Sequence, residues 1–452
     1  MKLESLVSSR VAIWGMGDEG VAFARLLTER GASPILVDDD PVGAAGRVAT
    51  LTERPPVVHP PDPSVLAHVD AIVRSPGVSR YRPELVGAAA SGVAVTTPLA
   101  VWLEDFHGAP IMAVTGTKGK STTATLAARI LEQHGGRVAL AGNIGVPVTD
   151  LYGQGDFDAY VVEVSSYQAA EVTASPPVTV LTSLAPDHLD WHGGVEAYYR
   201  DKLRLISAGP PAALAVNAAS AEAVSRTADH PGRMLYGEEG RVRARSGWIG
   251  IDGEPLVDYR GLRTPGQHNV ANLCGAIAGV LLLTGSRPQP AALVDAIEGF
   301  EGLPSRCQSI GTRGGLEFVD DALASNPFAT AASVASYGDR PMTLILGGAD
   351  RGVDFTRLAE VVAARVPVPH IVVIPPDGRR IADRVTTVGR QCRVDVPVSE
   401  AADPGDAARR AWTTTPPGGV VLFSPAAPTP EGEGGFRERS RLFREAFEAM
   451  TS

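Results

Sequence analysis

Residues 111–122 read IMAVTGTKGKST. The apolar, β-branched run Ile111–Thr115 predicts a strand, and the apolar spacing of Ala124–Gln133 predicts a helix. Between them lies the turn Gly116-Thr117-Lys118-Gly119-Lys120-Ser121-Thr122. A glycine-rich turn between strand and helix aims backbone N–H groups, and the positive end of the helix dipole, at phosphate oxygens. In such a loop Lys120 meets the β/γ-phosphates and the Ser121 hydroxyl ligates Mg²⁺. The full pattern places glycine at 114, where this chain has Val114, so the loop is a variant. The alternative, a Gly/Thr/Lys-rich surface turn, fits the flanking strand and helix poorly.

Working outward, the same alternation recurs. Downstream strands are predicted at Arg137–Ala141, Tyr160–Val164 and Val178–Ser183. They run into Gly142-Asn143-Ile144-Gly145, Ser165-Ser166-Tyr167-Gln168 and Pro186-Asp187-His188-Leu189-Asp190. Upstream, the strand Val11–Trp14, a Gly turn, a helix over Val21–Thr28 and the strand Pro34–Val37 form a β-α-β unit ending in Asp38-Asp39-Asp40. A short strand, Ala71–Val73, runs into Ser75-Pro76-Gly77. A third unit has strands at Leu316–Val319, Met342–Leu346, Ile371–Ile374 and Val420–Phe423. Polar strand ends are where open parallel sheets bind ligands. The fold class is therefore α/β, with three domains over 1–104, 105–301 and 302–452, and a β-hairpin excursion at 237–261.

Composition narrows the class. The 452 residues carry 41 basic and 51 acidic side chains, a net charge of −10, which argues against a nucleic-acid or anionic-membrane binder. Only Lys2, Lys118, Lys120 and Lys202 are lysine; the other 37 basic residues are arginine. Three scattered cysteines make neither a disulfide framework nor a Cys-type zinc site. The stretch MKLESLVSSR lacks the apolar core of a secretory leader, and no apolar run of about 18 residues offers a membrane span. A cytoplasmic protein is expected.

A phosphate loop alone names no reaction; the same sheet must add metal ligands and a reacting group. Glu163 ends the next apolar strand, where its carboxylate meets a metal held by the loop. The DHLDWHG segment around His188 and Asp190 fits magnesium, another metal or a structural turn. Lys202 reads either as an exposed helix lysine paired with a carboxylate or as a reactive amine. In a chain that otherwise uses arginine the second gains weight, because lysine can lose its proton and take up CO₂ as a metal-binding carbamate. Gly15-Met16-Gly17-Asp18-Glu19-Gly20 fits G-x-G-x-x-G, with Asp38 where a NAD site places its acidic residue. An oxidoreductase on that turn leaves Lys120 and Lys202 unexplained, and a melting shift with NADH but not with UDP-sugars would favour it. A non-catalytic ATP sensor predicts ATP binding without substrate-dependent ADP release.

Taken together, TGTKGKST, EVSSYQ, DHLDWHG followed by Lys202, GQHNVANL, GLPSR and VDDALASN resemble the Mur ligases of peptidoglycan synthesis, most closely the glutamate-adding, MurD-type branch. The resemblance covers essentially the whole chain. It implies a Rossmann-like UDP-binding domain, a central ATPase domain and a C-terminal Rossmann-like domain that recruits the amino acid. It implies that Gly116, Thr117, Lys118, Gly119, Lys120, Ser121 and Thr122 hold the ATP phosphates. Ser121 and Glu163 would hold one Mg²⁺, and His188 with a carbamylated Lys202 a second. Asn272 would meet adenine, and Arg306 and Asp321 would reach ATP. UDP-N-acetylmuramoyl-L-alanine would lie along Asp18, Glu19, Asp38, Ser75, Asn143, Ser165 and Gln168. Glutamate would meet Ser325, Arg351, Thr429 and Phe436. The substrate carboxylate would attack the γ-phosphate, and the glutamate amine would then displace phosphate from the acyl phosphate. Lys120, Arg306 and the metal ions would offset the mutual repulsion of carboxylate and triphosphate. Folylpolyglutamate synthetase shares the loop and the lysine, but it lacks a UDP-type first domain.

Two departures matter. Asp18 and Glu19 place two acids in the turn expected to take a diphosphate. Enzymes of this branch that add D-glutamate usually carry lysine where Leu323 stands in Asp321-Ala322-Leu323-Ala324-Ser325-Asn326. A dicarboxylate substrate then loses one cationic partner and keeps Arg351 as the obvious one. The SPAAPT loop, the TKGKS spelling and WGMGDEG look more like the subgroup that adds L-glutamate, where a separate epimerase acts on the product.

Overall fold

The computed structural model describes residues 1–49, 51, 57–210, 212–264, 266–349, 353–430 and 434–450. Its strands gather into three sheets interleaved with helices, and the chain forms two compact units. One comprises residues 1–260 with 270–297; the other comprises 261–269 with 298–452.

The first unit holds two sheets. The N-terminal sheet contains β1 (Val11–Trp14), β2 (Ile35–Val37), β3 (Val58–His59), β4 (Ala71–Arg74) and β5 (Ala94–Thr96), in the order β3-β2-β1-β4-β5. All its pairs are parallel. Its apolar side chains pack on both faces, Ile13 and Phe23 in one core and Trp14 and Ile72 in the other, which is why β1 and β4 read as unbroken apolar runs. The strand order reverses at β1, so the carboxyl ends of β1 and β4 frame a crevice.

The second sheet contains β6 (Ile111–Thr115), β7 (Val138–Gly142), β8 (Ala159–Glu163), β9 (Val178–Leu181), β10 (Ala213–Asn217), β11 (Arg233–Tyr236), β12 (Val242–Arg245), β13 (Trp248–Ile251) and β14 (Glu254–Asp258). The order is β14-β13-β12-β11-β10-β9-β6-β8-β7. The excursion expected at 237–261 is the antiparallel meander β12-β13-β14 on the sheet edge. β6 lies between β8 and β9, so the loop after it opens at a second reversal of strand order.

The other unit holds β15 (Gln308–Arg313), β16 (Leu316–Asp320), β17 (Met342–Leu346), β18 (His370–Val373), β19 (Val398–Glu400) and β20 (Val420–Phe423). Their order is β15-β16-β20-β17-β18-β19, parallel except for β15–β16. Leu344 and Ile371 pack on one face, Phe318, Phe423 and Phe443 on the other. Among the described residues, no helix is long and apolar enough to cross a membrane.

Candidate active site

The phosphate loop is shaped by two glycines that nothing else replaces. Gly116 has φ +146°, and a Cβ there would collide with Thr182 Oγ1. Gly119, at φ +88°, caps the Lys120–Gln133 helix, and a Cβ there would collide with Asn272 Oδ1. Left-handed backbone next to packed neighbours admits only glycine. The loop is pinned to the segment after β9: Thr117 N donates to Ser183 O at 2.8 Å and Lys118 N to Ser183 Oγ at 2.9 Å. Lys120 Nζ folds back to Thr117 O at 3.2 Å. Ser121 is buried and Thr122 half-buried in the first helical turn. Val114, where the fuller pattern has glycine, is a buried residue of β6 opposite Glu163 and Val180.

Glu163 ends β8 fully buried. Its Oε1 accepts from Asn143 Nδ2 at 2.7 Å, while Oε2 is buried with no partner. A buried carboxylate oxygen left unpaired is costly, and a bound cation is one group that relieves it. The chemistry of this donor fits a hard divalent ion.

Lys202 lies in the Val195–Ser207 helix with its amine buried, donating to Gly116 O at 3.0 Å. Burial, and then the nearby Lys120 charge, push the ammonium well below its usual range, so the neutral amine becomes accessible. His188 sits at φ 52° before the short Leu189–His192 helix, its ring 4.9 Å from that of Tyr167. The protein around it holds the imidazole below its ordinary range, against the pull of Asp187. Asp187 in turn lies 3.5 Å from Lys118 Nζ.

At the first sheet, Asp18, Glu19, Asp38 and Ser75 line one cavity of about 380 Å³. Ser75 Oγ donates to Gly15 O at 2.5 Å, and Asp38 Oδ2 accepts from Met16 N at 2.6 Å; together they set the Gly turn. Gln168 Nε2 donates to Glu19 Oε1 at 2.5 Å, while Gln168 and Ser165 form a capping box on the Ser166–Ala169 helix. Six of the residues expected along the UDP substrate therefore gather here; Asn143 instead bonds Glu163 at the second sheet.

Sequence reasoning missed a buried array beside Lys202. His192 Nδ1 lies 2.7 Å from Asp201 Oδ2, and His192 Nε2 lies 2.9 Å from Ser166 Oγ. Tyr81 OH donates to the same carboxylate at 2.9 Å. The residues stood in the DHLDWHG and YRDK stretches, but nothing in their spacing announces contact with Ser166 or Tyr81. Arg74 was missed too. It is fully buried, with Nε 3.3 Å from Glu171 Oε1 and Nη2 donating to Tyr167 O at 3.0 Å.

In the other unit, Asp321 is buried and both oxygens are used inside the fold. Oδ1 accepts from Cys307 N at 3.1 Å, and Oδ2 from Ser333 Oγ and Ser424 Oγ, each at 2.7 Å. Burial pushes its carboxyl up to about 6. Arg306 and Ser325 are exposed. Thr429 Oγ1 lies 3.5 Å from Nη1 of Arg439, a buried arginine that also donates to Gly347 O. Phe436 packs half-buried against the core containing Phe423 and Phe443. Arg351 lies outside the described residues.

Known proteins resemble this chain along its whole length. The family described as Mur ligase middle domain matches residues 114–280, and the Mur ligase MurD-like N-terminal domain matches residues 9–97. A Micromonospora protein named UDP-N-acetylmuramoyl-L-alanine–L-glutamate ligase is 39% identical, covering 99% of this chain and 98% of its own. A Xanthomonas campestris pv. campestris protein of the same name is 33% identical over 95% of this chain and 93% of its own. Among solved structures, the UDP-N-acetylmuramate-alanine ligase MurC of Thermotoga maritima superposes with TM-score 0.61 at 18% identity, covering 98% of this chain and 99% of its own. The MurF ligase of Thermotoga maritima in complex with ADP gives 0.59 at 17%, covering 84% and 88%. At those identities the structures speak for the fold alone. Whole-length sequence identity, two matched domains and the gathered strand-end residues agree: the chain belongs to the Mur ligase family.

Proposed function

We propose that the chain is an ATP-dependent, ADP-forming ligase that joins L-glutamate to UDP-N-acetylmuramoyl-L-alanine through an acyl phosphate, in peptidoglycan precursor synthesis. One observation carries the reading: a relative bearing that ligase name aligns at 39% identity over 99% of this chain. The geometry supports it. Gly116–Thr122 is built to hold the ATP phosphates, with Lys120 as the loop's point charge and Asn272 packed at its edge. Ser121 and Glu163, with its unpaired Oε2, would hold one Mg²⁺. His188 and a carbamylated Lys202 would hold a second. Such ions supply charge stabilisation to the transferring phosphoryl group. Carbamate formation needs an uncharged amine, and burial shifts Lys202 toward that form.

The remaining roles follow the family resemblance: Arg306 and Asp321 toward ATP, and Ser325, Arg351, Thr429 and Phe436 toward glutamate. A metabolic link to an epimerase follows it too, while the domain division 1–104, 105–301 and 302–452 and a cytoplasmic location extend the reading of strand pattern and composition. The test is phosphate release with ATP, UDP-N-acetylmuramoyl-L-alanine and each glutamate enantiomer in turn. Faster release with D-glutamate overturns the choice of enantiomer, and no release with either overturns the ligase reading. Lys202→Arg should be inactive, and full activity in that variant refutes the carbamate.

A further inference from the structure

The Gly15–Gly20 turn leads into the 12-residue Asp18–Glu29 helix, whose N-terminus suits an anion. Yet the cavity there is lined by Asp18, Glu19, Asp38 and Asp39. A diphosphate entering it meets acidic side chains that must each be neutralised, solvated or turned away.

Three of the four are. Asp38 accepts from Met16 N at 2.6 Å and Asp40 N at 2.9 Å, with Arg47 Nη2 at 3.8 Å. Asp39 pairs with Arg82 at 2.6 Å. Asp18 is exposed to water. Glu19 has none of these arrangements. Its Oε1 accepts from Gln168 Nε2, and its Oε2 is buried with no partner. Gln168 cannot turn its amide to offer more, because its Oε1 accepts from Ser165 N at 2.9 Å and Ser165 Oγ at 3.1 Å. Arg74 is the cation acting on Glu19, but its guanidinium is spent on Glu171, Val78 O and Tyr167 O.

We propose that Glu19 is a neutral carboxylic acid when the diphosphate of the UDP-linked substrate fills this cavity, so that substrate binding takes up a proton. The inference rests on the reading of this cavity as the UDP site. An ionised Glu19 would leave a desolvated, unpaired negative oxygen next to a cavity that takes an anion; the acid form removes that charge. The protein is poised for it. Burial pushes the carboxyl up to about 7, with Gln168 and Arg74 pulling it down and Asp18 pushing it up. An arriving diphosphate raises it further. The sign follows: below neutrality Glu19 is already protonated and binding costs nothing extra, whereas above it each binding event must first recruit a proton.

The experiment is calorimetric titration of the full chain with UDP-N-acetylmuramoyl-L-alanine, whose diphosphate has no group titrating near neutrality. Titrations are run at about pH 6.5, 7.5 and 8.5, each in two buffers of different ionisation enthalpy. Proton uptake should grow toward one per site as pH rises, and Kd should weaken by up to about tenfold per pH unit above 7. Glu19→Gln keeps the shape and the Gln168 contact and is neutral at every pH. Its Kd should be nearly flat with pH and tighter than that of the unsubstituted protein at pH 8.5. Binding without proton uptake, or pH dependence that survives in Glu19→Gln, overturns the inference while leaving the UDP site standing. No binding at any pH overturns both.

Discussion

Replacing His192 by Phe removes both ring nitrogens from the array beside Lys202 while keeping most of the ring volume. The cost follows from what each partner keeps. Ser166 Oγ loses a neutral hydrogen bond of 2.9 Å, worth about 1 kcal/mol. Asp201 loses a 2.7 Å contact to a buried ring but retains Tyr81 OH at 2.9 Å and Arg80 at 3.7 Å. Its loss is therefore that of one hydrogen bond to a charge, about 1.5–3 kcal/mol, not the 3–5 kcal/mol of a buried charge stripped of its partner. The sum is about 2.5–4 kcal/mol, to be read from the urea unfolding of the first unit. That transition must be resolved from the other unit's, because a chain of two units need not unfold in one step. Double-mutant cycles separate the arms: about 1.5–3 kcal/mol of coupling between His192 and Asp201→Asn, and about 1 kcal/mol between His192 and Ser166→Ala. Because Asp201 precedes Lys202 in the Val195–Ser207 helix, the array also fixes the rotation that aims the amine at Gly116. Turnover should fall by about tenfold or more, with substrate affinity changed less. Coupling near zero in both cycles, or unchanged turnover in a destabilised variant, refutes the reasoning.

Two further outcomes test the geometry. Gly31 and Gly119 share a left-handed backbone, at φ +87° and +88°, but Gly31 has open space around it and Gly119 faces Asn272. Gly31→Ala should cost about 1 kcal/mol from backbone strain alone, and Gly119→Ala clearly more, with weakened ATP affinity; equal costs would contradict the packing of the loop. Of the three cysteines, Cys392 is exposed, while burial pushes the Cys274 thiol up to about 12 and raises Cys307 well above its usual range. A thiol reagent should titrate one group quickly in the native protein and all three after unfolding; two fast thiols would show that one of those burials is wrong.

How much of this was legible depended on burial. β6, β17, β20 and β1 match their sequence-predicted limits because both faces are covered, leaving an unbroken apolar run. β3, β5 and β19 were not read, since two or three residues carry no periodicity. β15 alternates half-buried and exposed polar residues and has no apolar signature. Helix starts were placed late, at Val21 and Ala124 rather than Asp18 and Lys120, because the first turns are made mostly of polar residues and glycine that carry no apolar period. The loop residues of the site were visible as chemistry, whereas the Gln168–Glu19 and His192–Asp201 contacts are products of tertiary packing between distant segments.

The scarcity of lysine ties the two ends of the argument together. A buried arginine is tolerated in this chain when carbonyls and carboxylates surround it, as Arg74 shows. At 202 the amine lies among Lys120, Gly116 O and the Tyr198 ring, where a group that cannot shed its proton would stand next to another cation. A lysine at 202 can shed that charge, which an arginine cannot. Leu323 is the converse. Its backbone is held by Ser305 O at 3.1 Å, and its neighbours by Asp320 and Asp321, both anchored inside the fold. The loop's path is held by these main-chain and aspartate bonds, and the side chain at 323 sets what the loop offers a dicarboxylate: leucine here brings no charge. Charge recognition must then pass to other groups, and the proposed preference for L-glutamate is consistent with that transfer.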